Sequence, residues 1–265
     1  MLFVLVLNNL ILETILKDFL DQKYMQYAQS VFIHDDPIGI PHQFQQKEDI
    51  EIAGFLTAII SWGRRPAIIS KAQHLMNLMD NSPFEFVTEA SSTDLKRLEK
   101  FVYRTFNSSD LLFLVGGLKE IYVHHGGLEE IANQAWTTNK NVKMVIMALR
   151  QALLAHPHLA RSEKHLANPL SGSAAKRINM FLRWMVRPKT EGVDFGLWKN
   201  IPTSALQCPL DVHVSRVGLK LGILQRKQND WKAVEELTQN LTKLDSNDPV
   251  KYDFALFGLG VYEKF

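Results

Sequence analysis

Two short stretches of the chain carry residues suited to chemistry. Pro169-Leu170-Ser171-Gly172-Ser173-Ala174-Ala175-Lys176-Arg177 is a turn of small residues that opens a helix, and Pro209-Leu210-Asp211-Val212-His213-Val214-Ser215-Arg216 sets a carboxylate at the start of another. Lys176 and Asp211 lie 35 positions apart, so only folding can bring them together. A lysine held in an apolar pocket, or beside the positive end of a helix, loses its proton more easily and becomes an amine nucleophile. A nearby aspartate can stabilise a developing sugar cation or handle protons. Free N–H groups at a helix opening suit a phosphate. The combination fits base excision from DNA. Each half also has a structural reading, Lys176 as a solvated helix-start lysine and Asp211 as a plain helix cap. A capping aspartate can still be catalytic.

A second constellation is Ser61-Trp62-Gly63-Arg64-Arg65-Pro66, the break between two apolar helical runs. A tip of this kind can wedge its aromatic ring into a base stack while the arginines hold phosphates. It can equally be a capped hairpin with solvated arginines. Trp184 is a candidate for stacking on a base or filling the gap it leaves. His213 reads more readily as a packed histidine than as a general base, and Arg216 as a phosphate or carboxylate partner. His34, Asp35, Asp36 and His42 surround Pro37 and Pro41; a solvated turn is the preferred reading over a metal site. His156-Pro157-His158 reads as a loop.

The elements that must position these residues are helical. Periodic apolar residues predict helices over about 9–30, 49–60, 66–79, 94–103, 109–125, 128–135, 141–154, 176–186, 211–221, 231–244 and 248–259. The run from 49 to 60 is apolar nearly all round, which predicts a central helix. Alternating apolar patterns and Asn-Gly or Asp-Gly turns are absent, so essentially no sheet is expected. The opening run Met1 to Leu12 is too short to span a bilayer. It has no basic flank or small-residue cleavage site, and it reads as the start of a buried helix.

Composition sets the outer bounds. The 265 residues are 46% hydrophobic and 22% charged, and the net charge is +2 with a pI of about 8.5. This is ordinary globular composition and excludes a histone-like polycation, while leaving room for a local basic face from Arg64, Arg65, Lys176, Arg177, Arg183 and Arg187. The single cysteine, Cys208, excludes a disulfide within the chain and a four-cysteine cluster. It is expected to be a packed residue in a cytoplasmic protein.

Three segments resemble the helix-hairpin-helix DNA glycosylase superfamily. Residues 52–61 continuing through Ser70-Lys71-Ala72 resemble its first barrel helices and the DNA-contacting loop between them. Residues 169–175 resemble its hairpin. Residues 209–217 resemble the segment written V-D-T-H-V-x-R-V that carries its essential aspartate. The usual hairpin reads L-P-G-V-G-x-K-x-A. Here Leu170 replaces the first glycine, Ala174 stands at the usual lysine position, and Lys176 comes two residues later. That displacement, and the long gap to Asp211, look like the archaeal 8-oxoguanine glycosylase branch. Residues 181–187 and 248–254 further resemble an uncharacterised bacterial family of unknown function.

The resemblance implies an all-α, two-lobed helix-hairpin-helix DNA glycosylase-like fold. Residues 46–175 would form a helical barrel lobe, and residues 1–45 with 176–265 the second lobe. It implies a base-excision repair glycosylase, either monofunctional or bifunctional through a lysine Schiff base, acting on an oxidised purine such as 8-oxoguanine. Lys176 and Asp211 would be catalytic. Trp62, Gly63, Arg64, Arg65, Ser171, Gly172, Ser173, Arg177 and Arg216 would contact DNA, and Trp184 and His213 would form the base pocket. The expected partner is double-stranded DNA with a damaged base, bound by a monomer without a cofactor, metal or membrane. The alternative is a non-catalytic nucleic-acid-binding protein that keeps the scaffold, which Ala174 favours.

Overall fold

The computed structural model describes residues 2–265, with side chains from residue 11 onward. The described residues form an all-α structure of twelve helices. These are α1 (Leu2–Tyr27), α2 (Lys47–Ile59), α3 (Arg65–Leu78), α4 (Pro83–Glu89), α5 (Ser92–Lys96), α6 (Ser108–His124), α7 (Leu128–Asn139), α8 (Val142–Leu154), α9 (Lys176–Val186), α10 (Val212–Lys220), α11 (Trp231–Leu244) and α12 (Tyr252–Val261). Short 3-10 turns link many of them. Among the described residues, no helix is long and apolar enough to cross a membrane.

Local chemistry explains several helix starts. Asn107 and Asp110 form a reciprocal capping box on α6, and Ser91 and Asp94 do the same on α5. Asp230 caps α11 and Asp211 caps α10, while Pro66 and Pro83 occupy the first turns of α3 and α4, where no N–H is needed.

The expected central helix is α2, buried from Ile50 to Ile59. Its one buried charge, Glu51, accepts hydrogen bonds from Trp198 Nε1 at 2.6 Å and Tyr122 Oη at 2.8 Å. Burial pushes its carboxyl up. α9 packs directly on α2. Gly54 permits the approach: a β-carbon there would lie 3.2 Å from Met185 Cε, and Phe55 meets Phe181 edge to face at 5.6 Å. α4, α6, α7 and α8 pack around α2 and one another, whereas α1 and α10 pack on α12. One contiguous apolar core runs through all of them.

Several expectations change. Residues 94–103 are not one helix: α5 ends early, and β1 (Val102–Tyr103) pairs antiparallel with β2 (Phe106–Asn107) around Arg104, whose φ of 56° is left-handed. The β-prone residues on both sides of Arg104 favour this turn. α4 was not foreseen. The turn after His34 is only partly solvated, because Asp36, Pro37, Ile38 and Ile40 are buried. The burial expected for residues 1–10 lies outside the described side chains, and Ile11, Leu12 and Ile15 are exposed, since α1 meets α12 through its later turns, with Tyr24 against Phe254 and Tyr27 against Tyr262.

Arg183 and Arg187, expected on a basic face, are instead buried in ion pairs. Arg183 donates to Asp253 and lies 3.3 Å from Asp194. Arg187 reaches Asp194 at 2.6 Å, Asp248 at 2.8 Å and Tyr24 Oη at 3.1 Å. Asp194 is therefore shared by both arginines. Removing one partner from a buried charge network is severe because the remaining charge stays desolvated. Asp194→Ala should destabilise the protein by about 3–5 kcal/mol, read as a lowered urea midpoint with an unchanged slope.

Candidate functional site

The sequence brings its two candidate reactive residues to one cavity. Lys176 is the first residue of α9 and Asp211 caps α10, and both line a cleft of about 830 Å³. The cleft lies where α9, α10 and α12 meet the tip between α2 and α3 and the turn at Asp36–Pro37. Its walls are aromatic on several sides: Phe32, Trp62, Phe254 and Phe257. Its polar groups include Lys176, Asp211, His213, Asp36, Arg65 and the Arg183–Asp253 pair.

Lys176 is unusual for a partly buried cation. Among the described residues it has no carboxylate within ion-pair distance, and its Nζ meets only Met180 Sδ, at 3.6 Å. A lysine at a helix N-terminus also faces the positive end of the helix dipole, where stability does not favour a cation. The residue before it, Ala175, is buried at φ 50°, a left-handed conformation that L-residues adopt at a cost. The turn behind it is fastened: Trp231 N donates to Gly172 O at 3.0 Å, and Ser173 bridges to Asp230.

Asp211 spends Oδ1 on the helix, accepting from His213 N at 2.8 Å and Val214 N at 2.9 Å. Its Oδ2 has no partner among the described residues. The capping reading is thus correct, and the cap leaves one oxygen for the cleft. Asp253 is buried; its burial, aided by the nearby Asp211 charge, outweighs the Arg183 partner and pushes its carboxyl up to about 6. Asp36 is also buried, and its Oδ1 accepts from Ile38 N at 3.1 Å. Sequence reasoning missed both carboxylates. Asp36 read as part of a solvated turn, and Asp253 lies inside an apolar helix, where nothing local marks it.

Trp62 lines the cleft and is gripped from three sides. His165 stacks on it at 5.9 Å, the Arg177 guanidinium lies over it at 5.0 Å, and Tyr103 meets it edge to face while donating to its carbonyl at 2.7 Å. Gly63 adopts a φ of 108°, and a β-carbon there would fall 2.3 Å from Arg104 Nη1, so the β-hairpin tip sits directly on the α2–α3 tip. Arg64 is exposed and, like Arg104, its side chain has no partner among the described residues. Arg65 lines the cleft but is engaged, 4.8 Å over the Phe257 ring and 3.1 Å from Tyr262 Oη.

Other expected contacts are relocated. Trp184 is fully buried and absent from the cleft; its place on the core face of α9 makes it a packing residue, which corrects the base-pocket expectation. Arg177 lines the cleft, but its guanidinium donates to the carbonyls of Ile59 and His165, and burial depresses its proton affinity to about 10; it is a structural clamp rather than a free phosphate contact. Arg216 points to the chain end, donating to Gly260 O at 2.6 Å and Phe265 O at 3.1 Å, so it is a staple rather than a phosphate partner. Ser171 and Gly172 line a separate, open depression of about 540 Å³ beside Lys164 and Asn168, and Ser173 borders both. His213 does line the cleft, with a buried Nδ1 that has no hydrogen-bond partner among the described residues. Cys208 is buried, as expected of a packed residue. Among the described residues, no group of three or more His, Cys, Asp or Glu is arranged to hold a metal ion.

A family described as a protein of unknown function (DUF2400) matches residues 36–262. The chain belongs to this family. The match spans every cleft residue named above except Phe32. No curated protein and no solved structure matches the chain.

The two roles of Asp211 can be separated by stability alone. Asp211→Ala removes the acceptor for two helix N–H groups and should cost about 1 kcal/mol, while Asp211→Asn keeps the cap and should fall within a few tenths of wild type. Chemical denaturation of both variants measures this. An Asn variant as unstable as the Ala variant would mean the charge, not the cap, holds α10.

Proposed function

We propose that this protein is a DNA base-excision glycosylase with abasic-site lyase activity, built on a two-lobed helix-hairpin-helix glycosylase-like fold. One observation carries the reading: Lys176 and Asp211 share a single aromatic-walled cleft, and Lys176 has no ion-pair partner there among the described residues. A structural lysine in such a position would be expected to hold a carboxylate.

The cleft volume of about 830 Å³ is ample for an extruded nucleotide. The enzyme flips the damaged base out of the duplex, and the rings of Trp62, Phe32, Phe254 and Phe257 offer faces on which it stacks. Lys176 Nζ attacks the sugar carbon, and Asp211 Oδ2 stabilises the cationic sugar as the base departs. The unpartnered Arg64 and Arg104 beside Trp62 supply phosphate contacts at the rim. An oxidised purine such as 8-oxoguanine is the substrate favoured by the resemblance in residues 169–175 and 209–217.

One observation favours a second reading, a binding protein that keeps the scaffold without its chemistry. Ala174, at the position where the hairpin usually bears its lysine, also lines the cleft. Borohydride trapping on duplex DNA containing 8-oxoguanine or an abasic site separates the two. The lyase reading expects a covalent adduct with wild type and its complete loss in Lys176→Ala, with duplex binding retained. No adduct from wild type, together with salt-sensitive binding by both proteins, would shift the assignment to the binding role.

A further inference from the structure

The cleft holds three carboxylates, and they are not equivalent. Asp253 is committed to Arg183, which donates to its Oδ2. Asp211 gives one oxygen to the cap of α10. Asp36 is only 8% exposed, yet it forms no ion pair among the described residues, and its single hydrogen bond is from Ile38 N to Oδ1. Its Oδ2 has no partner among the described residues, and the residue lines the cleft. An unpaired carboxylate in so buried a place is a liability for stability. Asn or Ser would cap the Pro37 turn equally well without a charge. The cap therefore does not explain why the residue is an acid.

We propose that Asp36 is the proton acceptor for Lys176, a further catalytic group of the site. The inference rests on the lyase reading of Lys176. Lys176 and Arg183 from α9 and Arg65 from α3 lie close enough for their charges to act on Asp36, while Asp211 and His213 at the start of α10 and Asp253 of α12 line the same cleft. Burial is the largest influence on the Asp36 carboxyl and raises its proton affinity despite these cations. A carboxyl whose proton affinity is raised is a stronger proton acceptor than an ordinary aspartate.

The step balances at an abasic site. The Lys176 ammonium gives a proton to the Asp36 carboxylate, directly or through one water, leaving a neutral amine and a carboxylic acid. The amine nitrogen bonds to the sugar aldehyde carbon, and the carbonyl oxygen takes up the proton the nitrogen sheds, giving a carbinolamine. The Asp36 acid then protonates the carbinolamine hydroxyl. The C–O bond breaks, water leaves, and the nitrogen lone pair forms the iminium. Asp36 ends as the carboxylate, with no outside oxidant or co-reactant.

The test is the pH dependence of single-turnover borohydride trapping on DNA with a preformed abasic site, which requires no base excision. With wild type as reference, Asp36→Asn should trap at least about tenfold more slowly near neutral pH. Its rate should recover as the pH is raised and hydroxide takes over the role of the missing base. A purely structural role would lower the rate without moving the pH profile. Asp36→Ser, which also caps the turn, serves as the second variant should the first fold poorly, and thermal melts of both check the fold. Trapping by a folded Asp36→Asn or Asp36→Ser protein with the wild-type rate and profile overturns the role of Asp36 and leaves the lyase reading intact. No adduct from wild type at any pH removes that reading, and this one with it.

Discussion

The structure depends on the burial of two arginines on one helix. Arg183 and Arg187 stand one turn apart on α9, both nearly inaccessible, and share Asp194 between them. Asp253 from α12, Asp248 from the turn before it and Tyr24 from α1 complete the shell. Two guanidinium groups taken out of water demand such a shell, because a buried charge without partners costs several kcal/mol. The partners come from the beginning, middle and end of the chain. The network therefore specifies how distant segments meet, which undirected apolar packing alone does less sharply.

That constraint is what makes a site of the first turn of α9. The helix is held along its length by α2 on one side and by the arginine network on the other, so Lys176 projects from a fixed point. Asp253, fixed by Arg183, forms part of the same cleft. Upstream, the turn at residues 169–175 is tied to the start of α11 through Gly172 and Trp231, and the chain turns into α9 only by placing Ala175 in a left-handed conformation. Downstream, the Asp211 cap starts α10 across the cleft. Two helix starts line one cleft because the network holds α9 and α12 together, while α10 rests on α12.

The parts of this arrangement that sequence reading reached are those governed by local rules. Periodicity gives the helices, and the near-uniform apolarity of residues 49–60 gives the central one. Pro-Leu-Asp gives the start of α10, because capping depends on residues within one turn. Lys176 and Asp211 were picked out by residue type and spacing, and the fold does bring them together. Asp36 and Asp253 were not, since burial and partners at long range decide their chemistry. Arg183 and Arg187 show the same limit from the opposite side: a charged pair four residues apart reads as a solvated stripe unless the acids that bury it are known. Trp184 failed as a base-stacking candidate for a related reason. An aromatic ring between two arginines looks exposed by its neighbours, but here the whole face is inside. The β-hairpin at Arg104 is too short for periodicity to register, though its contact with Gly63 shapes the rim of the cleft.

The charged groups sort themselves by whether the fold has given them partners. Arg177, Arg183, Arg187 and Arg216 are bound to carbonyls or carboxylates, and each holds one piece of chain against another. Lys176, Arg64 and Arg104 hold nothing among the described residues, and all three lie at or beside the cleft. Folding stability does not account for a lysine at a helix N-terminus, behind a strained alanine and close to acids that leave it unpaired. A buried carboxylate that caps a turn Asn could cap is equally unexplained by stability. These features share one location, and the proposed pairing of a reacting amine with the acid that takes its proton would account for both.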